Sequence, residues 1–336
     1  MVVIGLCGLP GSGKRAVETR LIEEHNFTRL VIGKTVKGNP NGGFSPPAEE
    51  LERLDIFEKN VQFDCLIEAL DFVTTNWRED YVVSGLKTEE DFFVFLKRPF
   101  FMIISILAPV MARFHRFQIT DPSLTLKKMI EMDDDIMYGK AGLIHVMTKS
   151  RLTISNGSNI ENLYSLVRSL TLDERWARPS WDAYFMEMAE LASRRSNCMK
   201  RRVGAIIVKD KRVVATGYNG TAQGLLNCCE GGCLRCNSNV KCGVGLDLCY
   251  CLHAEENAVL EAGRSRCQGA TLYCTTAPCV GCSRKIIQCG ILRVVYAQEY
   301  SIEHNARHMF ETVGAQLDKF TLSFPHYLDA DDFLSS

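Results

Sequence analysis

The chain carries almost no net charge. Lysine and arginine total 39 against 40 aspartate and glutamate, which leaves −1 and a pI near 6.7. No overall basic field therefore points to nucleic acid as a partner. Long apolar runs are missing too. The most apolar stretch, Phe100 to Met111, falls short of the roughly 20 residues that span a bilayer and suits a buried strand, so no membrane partner is expected. The start, Met1-Val2-Val3-Ile4-Gly5, has neither the basic region nor the small-residue cleavage site of a secretory signal. The expected location is the cytoplasm, with the nucleus also open. In a reducing compartment the 15 cysteines read as metal ligands before they read as disulfides. Their placement is lopsided: Cys7 and Cys65 stand in the first half, and the rest fall between Cys198 and Cys289.

Two short stretches in that cysteine-rich part carry the chemistry. One is His253-Ala254-Glu255 and the other is Pro278-Cys279-Val280-Gly281-Cys282. Together they read H-x-E…P-C-x-x-C. His253, Cys279 and Cys282 supply three ligands for a tetrahedral zinc ion and leave its fourth position for water. Glu255 is no ligand; two residues from His253, it is placed to take a proton from that water and pass it on. The pattern implies hydrolytic attack on C4 of a cytosine or C6 of an adenine, with Glu255 as general acid and base. A purely structural zinc site would leave Glu255 without a role.

Earlier in the chain, Val2 to Cys7 reads as a buried strand and runs into Gly8-Leu9-Pro10-Gly11-Ser12-Gly13-Lys14-Arg15. Gly8, Gly13 and Lys14 fit G-x-x-x-x-G-K, a loop whose N–H groups cradle phosphates. Arg15, however, stands where Ser or Thr should hold magnesium. A helix is expected from Ala16 to Glu24 and another from Leu51 to Val73, with a loop over Gly38 to Pro47 between them. Tyr81 to Ser84, Phe100 to Leu107 and Thr153 to Ser155 read as further strands. Asp133-Asp134-Asp135 reads as a solvated acidic turn. Strands alternating with helices predict a parallel α/β sheet.

On the Gly8–Lys14 loop, Val82 to Gly85, Phe101 to Pro109 and Ile154 to Gly157, residues 1–172 resemble the P-loop kinases that include dephospho-coenzyme A kinase. In such kinases an acidic residue commonly stands where Ser84 is. With Arg15, that departure implies the fold more than the activity. A degenerate domain kept for packing or assembly and a nucleotide sensor both remain open.

Thr171 to Arg178 is polar, and Pro179 breaks any helix before it, so the boundary is placed there. The domains expected are 1–172, 179–322 and a tail, 323–336. Ser180 or Asp182 caps the next helix. Val203 to Val208 and Val213 to Thr216 form a hairpin around a polar tip. Helices are expected at His253 to Ala262 and from Cys279 to about Gln288, so two helix N-termini converge on one metal.

Residues 179–322 resemble the deoxycytidylate deaminases of the cytidine deaminase superfamily. The resemblance rests on Pro179 to Met186, Arg195 to Cys198, Val203 to Ala205, Gly217 to Thr221, Cys251 to Ala258 and Pro278 to Cys282. It implies a three-layer α/β/α fold, dCMP as substrate, and dUMP and ammonia as products for thymidylate synthesis. It also implies dCTP as activator, dTTP as inhibitor, and a homo-oligomer, with a hexamer favoured. The resemblance carries Asn219 and Tyr300 over as substrate contacts and Arg264 as a regulatory-site residue. Asn219 before Gly220 also reads as a turn residue, and Tyr300 as an exposed aromatic. Arg194, Arg195, Lys200, Arg201 and Arg202 suit a nucleotide phosphate or an allosteric triphosphate, or equally a solvated basic face.

The surplus cysteines suggest a second, structural zinc. Some relatives hold one near the catalytic ion, at positions matching Cys198, Cys228 and Cys251. Cys198, Cys228, Cys233, Cys236 and Cys251 are the candidates, of which one ion takes four; reduced buried thiols are the alternative. Two rival functions remain. A nucleic-acid base deaminase would want a basic channel and aromatic platforms. A regulatory nucleotide-binding protein would depend on the Gly8–Lys14 loop.

Overall fold

The computed structural model describes residues 1–33, 60–157, 159–170, 172, 178–238, 240–241, 244–245, 248–299, 304–321 and 327–331. The chain divides into two compact units, Met1–Arg178 with Phe324–Ser336, and Pro179–Ser323. Among the described residues, no helix is long and apolar enough to cross a membrane.

The first unit is a parallel sheet of β1 (Val3–Cys7), β2 (Thr28–Ile32), β3 (Asn60–Phe63), β4 (Tyr81–Ser84), β5 (Phe101–Leu107) and β6 (Leu152–Ser155). β1 lies between β4 and β5. It is buried along its whole length, and its side chains alternate between two cores. Ile4 and Leu6 face a core shared with Val17, Leu21, Leu163, Leu166 and Val167. Val3 and Cys7 face another, shared with Ala69, Val73, Phe92 and Phe95. The first core is closed by α1 (Lys14–His25) and the second by α2 (Leu66–Thr75) and α3 (Glu89–Leu96). Next come α4 (Val110–Thr120), α5 (Leu126–Tyr138), α6 (Leu143–Met147) and α7 (Ile160–Ser169).

Three expectations need correction here. Of the helix expected at Leu51 to Val73, 51–59 lie outside the described residues, as does the 38–47 loop. Residues 60–63 are strand β3, paired in parallel with β2, and the helix begins only at Leu66. The acidic run is no turn: Asp133 to Asp135 sit inside α5, and Asp133 takes a bidentate bond from the buried Arg113 at 2.9 and 2.6 Å. The 323–336 segment is more than a tail, because Tyr327–Asp329 adds a parallel strand beside β6.

The second unit opens with α8 (Trp181–Ser193), capped by the Ser180 hydroxyl, which accepts from the Ala183 N–H at 3.2 Å. Its sheet runs β13 (Gln316–Lys319), β12 (Arg293–Gln298), β11 (Thr271–Thr276), β7 (Gly204–Lys209), β8 (Arg212–Tyr218). β11, β12 and β13 are parallel, while β7 is antiparallel to its neighbours β11 and β8. The β7–β8 turn places Asp210 and Lys211 at φ 52° and 60°, as the tightest hairpins require. A small pair, β9 (Gly220–Thr221) and β10 (Cys251–Leu252), flanks the cysteine-rich loop, which holds the short α9 (Leu234–Asn237).

One sheet face packs on α8 through Phe185, Met186 and Ala189. The other packs on α10 (Ala254–Ala262), the short α11 (Arg264–Cys267), α12 (Val280–Gln288) and α13 (His304–Thr312), through Ala258, Ile286 and Phe310. The unit is thus three layers, α/β/α. Ala254, Ala258 and Ala262 recur every fourth residue and give α10 a flat, buried face. Gly217 of β8 lets that face approach closely: a Cβ there would meet the Ala254 carbonyl oxygen at 2.1 Å. Asn257 then ties α10 to β8 by donating to the Tyr218 carbonyl at 2.7 Å.

Candidate active site

Two helix starts meet. His253 is the N-cap of α10 and Cys279 the N-cap of α12, which places Cys282 in its first turn. The His253 Nδ1 lies 3.5 Å from the Cys279 sulfur and 3.3 Å from the Cys282 sulfur. A tetrahedral zinc with Zn–N near 2.0–2.1 Å and Zn–S near 2.3 Å separates nitrogen from sulfur by about 3.6 Å. The three donors therefore fit such an ion without rearrangement. The Cys279 sulfur also accepts the Cys282 N–H at 3.5 Å. Its thiol is held down to about 3 by the bond from Cys282 and by His253. Cys282, which supplies that bond from a buried position, is pushed up in turn. A cation between the two sulfurs replaces the proton they share.

Glu255 is 4% exposed, in the first turn of α10. Burial pushes its carboxyl up to about 7, so a proton can enter and leave it near neutral pH. His253, Glu255 and Cys279 open onto a cavity of about 170 Å³. Lys200, Arg201 and Arg235 line the same cavity. The glutamate, two of the three metal ligands and three basic side chains thus line one cavity. A larger groove of about 530 Å³, lined by Glu256, Arg284 and Lys285, contains none of these ligands.

Asn219 also lines the cavity, 8% exposed. Its Oδ1 accepts from the Ser196 hydroxyl and the Val203 N–H, both at 2.8 Å, and its Nδ2 donates to the Arg201 carbonyl at 2.8 Å. It braces the backbone that presents Lys200 and Arg201. Arg264 is exposed at the start of α11 and does not line the cavity. Tyr300 lies outside the described residues.

The candidate cysteines gather as expected, with one addition. Cys198, Cys228, Cys236 and Cys251 place their sulfurs within 4.8 Å of one another, and so do Cys233, Cys236, Cys249 and Cys251. Cys249 was missed because the C-x-x-C spacing selects Cys233 and Cys236 and offers no rule for a cysteine 13 residues further on. Arg235, inside that same C-x-x-C, was missed too. Cys242 lies outside the described residues.

In the first unit, Lys14 turns back on its own loop. Its ammonium donates to the carbonyls of Gly8 and, at 3.1 Å, Leu9. Burial lowers it to about 8. Gly8 and Gly13, with φ of 155° and 106°, let the loop fold tightly. Arg116 and Asn156 bond the Gly11 and Ser12 carbonyls at 2.9 and 2.7 Å. Ser84 donates to the buried Glu18 of α1, which also pairs with Arg29 at 3.1 Å, so a carboxylate does stand beside the strand end.

A mixed three-layer unit with a His-Cys-Cys trio beside a buried glutamate defines a zinc-binding deaminase of the cytidine deaminase superfamily. Residues 179–298 match the cytidine and deoxycytidylate deaminase zinc-binding region. The deoxycytidylate deaminase of Schizosaccharomyces pombe is 42% identical over 328 residues, 95% of this chain and 98% of that protein. That of Saccharomyces cerevisiae is 42% identical over 276 residues, 76% of this chain and 86% of that protein. That of Mycobacterium phage D29 is 45% identical over 128 residues, which is 37% of this chain but 98% of the phage protein. The chain belongs to the deoxycytidylate deaminase family.

Proposed function

We propose that this protein converts dCMP and water to dUMP and ammonia, in a zinc-dependent reaction at His253, Cys279, Cys282 and Glu255. The observation that carries the reading is the shared cavity, which is lined by Glu255 and the metal ligands His253 and Cys279 together with Lys200, Arg201 and Arg235. The first set suits the base, and the cations suit a phosphate. The names of the fungal relatives support the same substrate.

A zinc ion bound to the trio supplies a Lewis acid that brings the pKa of water toward neutrality. Glu255 accepts a proton at its carboxylate, delivers it to the ring nitrogen, and carries a second to the departing amine. Its burial keeps the carboxyl titrating near neutrality, as those transfers need. Asn219 holds the Arg201 carbonyl and so positions the cationic wall.

By resemblance to the family, dCTP activates, dTTP inhibits, Arg264 serves the regulatory site, Tyr300 contacts substrate and the protein assembles as a hexamer. One structural zinc in the cysteine cluster belongs to the same reading. The first unit is proposed to be a phosphate-binding-loop domain whose loop no longer transfers phosphate. Its support is the Gly8–Gly13 turn between β1 and α1 and a lysine engaged with its own loop.

The test is turnover of dCMP, deoxycytidine, cytidine and single-stranded oligonucleotides by the zinc-loaded protein, with and without dCTP and dTTP. Preference for dCMP supports the proposal. Turnover of oligonucleotides without turnover of dCMP refutes it.

A further inference from the structure

The two cysteine tetrads overlap. Cys236 and Cys251 belong to both, whereas Cys198 and Cys228 belong to one, and Cys233 and Cys249 to the other. Two tetrahedra that have two corners in common share an edge. We propose that these six cysteines hold two zinc ions, bridged by the sulfurs of Cys236 and Cys251. This goes beyond a single structural ion, and it rests on the cysteine geometry rather than on the deaminase reading.

The distances suit it. A Zn–S bond of about 2.3 Å sets neighbouring sulfurs in a tetrahedron about 3.8 Å apart. Cys236 lies 3.8 Å from Cys198 on one side and 3.6 Å from Cys249 on the other. The shared edge, Cys236 to Cys251, is 3.9 Å, and Cys233 to Cys249 is 3.9 Å. All six are free cysteines.

The hydrogen bonds divide the sulfurs the same way. The sulfur of Cys228 accepts the Met199 N–H at 3.5 Å, and that of Cys198 accepts the Lys200 N–H at 3.5 Å. The sulfur of Cys233 takes backbone bonds from Cys236 and Tyr250. Terminal thiolates bound to one metal keep lone pairs for such donors. Cys236 instead contacts sulfurs from both tetrads, and its hydrogen bond from outside the cluster comes from the Arg235 side chain rather than from a backbone N–H.

Charge points the same way. Six thiolates and two divalent ions leave about −2, half the charge of two separate tetrathiolate sites. Lys200, Arg201 and Arg235 line the cavity together with Cys198, Cys236, Cys249 and Cys251, so cations stand beside the cluster. A single ion would fill one tetrad and leave two further cysteines of the other crowded against it as thiols. The cluster also joins the segment after α8 to α9 and β10, and β10 leads directly into His253.

The test is zinc content by elemental analysis of the full-length protein, purified reduced. The expected value is about three ions per chain, one catalytic and two in the cluster. His253→Ala removes the catalytic ion alone and Cys249→Ser the distal cluster ion alone, so each variant falls to about two. A wild-type value of two that drops to one in His253→Ala overturns the proposal, whether or not Cys249→Ser loses an ion. A wild-type value of two that His253→Ala leaves unchanged puts both ions in the cluster and refutes the catalytic-zinc reading instead. Should Cys249→Ser fail to fold, cadmium-113 NMR of the wild-type protein decides. Two tetrathiolate signals coupled to each other through the bridging sulfurs are expected, and one uncoupled tetrathiolate signal overturns the proposal.

Discussion

Gly217 of β8 lies directly beneath the helix that carries Glu255. Its missing side chain lets α10 rest on β8. A Cβ at this position would stand 2.1 Å from the Ala254 carbonyl oxygen, 2.6 Å from the Ala258 nitrogen and 2.9 Å from the Ala258 Cβ. Two of these atoms are helix backbone, which no rotamer change can move aside. In Gly217→Ala, α10 must therefore retreat by about 1 Å. Overpacking of this kind costs about 1–3 kcal/mol of stability. The catalytic cost is larger, because α10 begins at His253 and carries Glu255 in its first turn. A misplacement of about 1 Å at the reacting groups lowers the rate roughly 100-fold. Gly204→Ala is the control. Its Cβ would meet the Ala189 carbonyl oxygen at 2.0 Å and push on α8, which bears no catalytic ligand. Both variants should melt earlier, and Gly217→Ala should lose far more turnover on dCMP. Equal losses in the two, or wild-type turnover in Gly217→Ala, would refute this account of how the glutamate is positioned.

Four other outcomes are expected. Arg293 forks onto Asp182 at 2.9 Å through both terminal nitrogens, so Arg293→Ala should cost about 1.5 kcal/mol in urea melts at neutral pH. Burial alone would raise the Asp182 carboxyl, but the bonds from Arg293 and Tyr273 outweigh it and hold it below its usual value. That stability is present above the unfolded carboxyl pKa of about 3.9 and is lost as pH falls through the lower folded value, so the two proteins should converge in acid. Arg201→Ala should raise KM for dCMP about tenfold and leave that for deoxycytidine nearly unchanged, as steady-state kinetics on the two substrates would show. Lys14→Ala should leave dCMP turnover unchanged, since its amine is spent on the Gly8 and Leu9 carbonyls. Prolonged chelation should abolish turnover, zinc should restore it, and the melting temperature should fall as the cysteine cluster empties.

Much of the candidate site's grouping was legible because its parts are local. His253 and Glu255 lie two residues apart, and Pro278 to Cys282 needs only a helix start. The strands were legible where alternation serves two buried faces, as in β1, or one hairpin, as in β7 and β8. What escaped depends on contacts between distant segments. Tyr327–Asp329 is three residues long, with Leu328 its one aliphatic residue, and pairing with β6 makes it a strand. Asn60–Phe63 followed a helix-like composition, yet pairing with β2 overrides that propensity. Asp133 looked like a solvated charge until Arg113, 20 residues away, reached it. Cys249 and Arg235 sit in a loop without periodicity, where spacing alone cannot tell a ligand from a bystander. Asn219 was placed at the substrate by resemblance. Its three bonds to the 196–203 segment make it first a brace of the cavity wall.

The most direct test is Glu255→Gln. Glutamine matches glutamate in shape and keeps the neighbouring His253, Cys279 and Cys282 in place, but it cannot carry the proton. Zinc content and melting temperature should stay near wild type, while kcat on dCMP falls by about 10⁴, the upper range for a single general acid–base group. A Glu255→Gln enzyme that binds zinc and turns over dCMP at a near wild-type rate would contradict the mechanism.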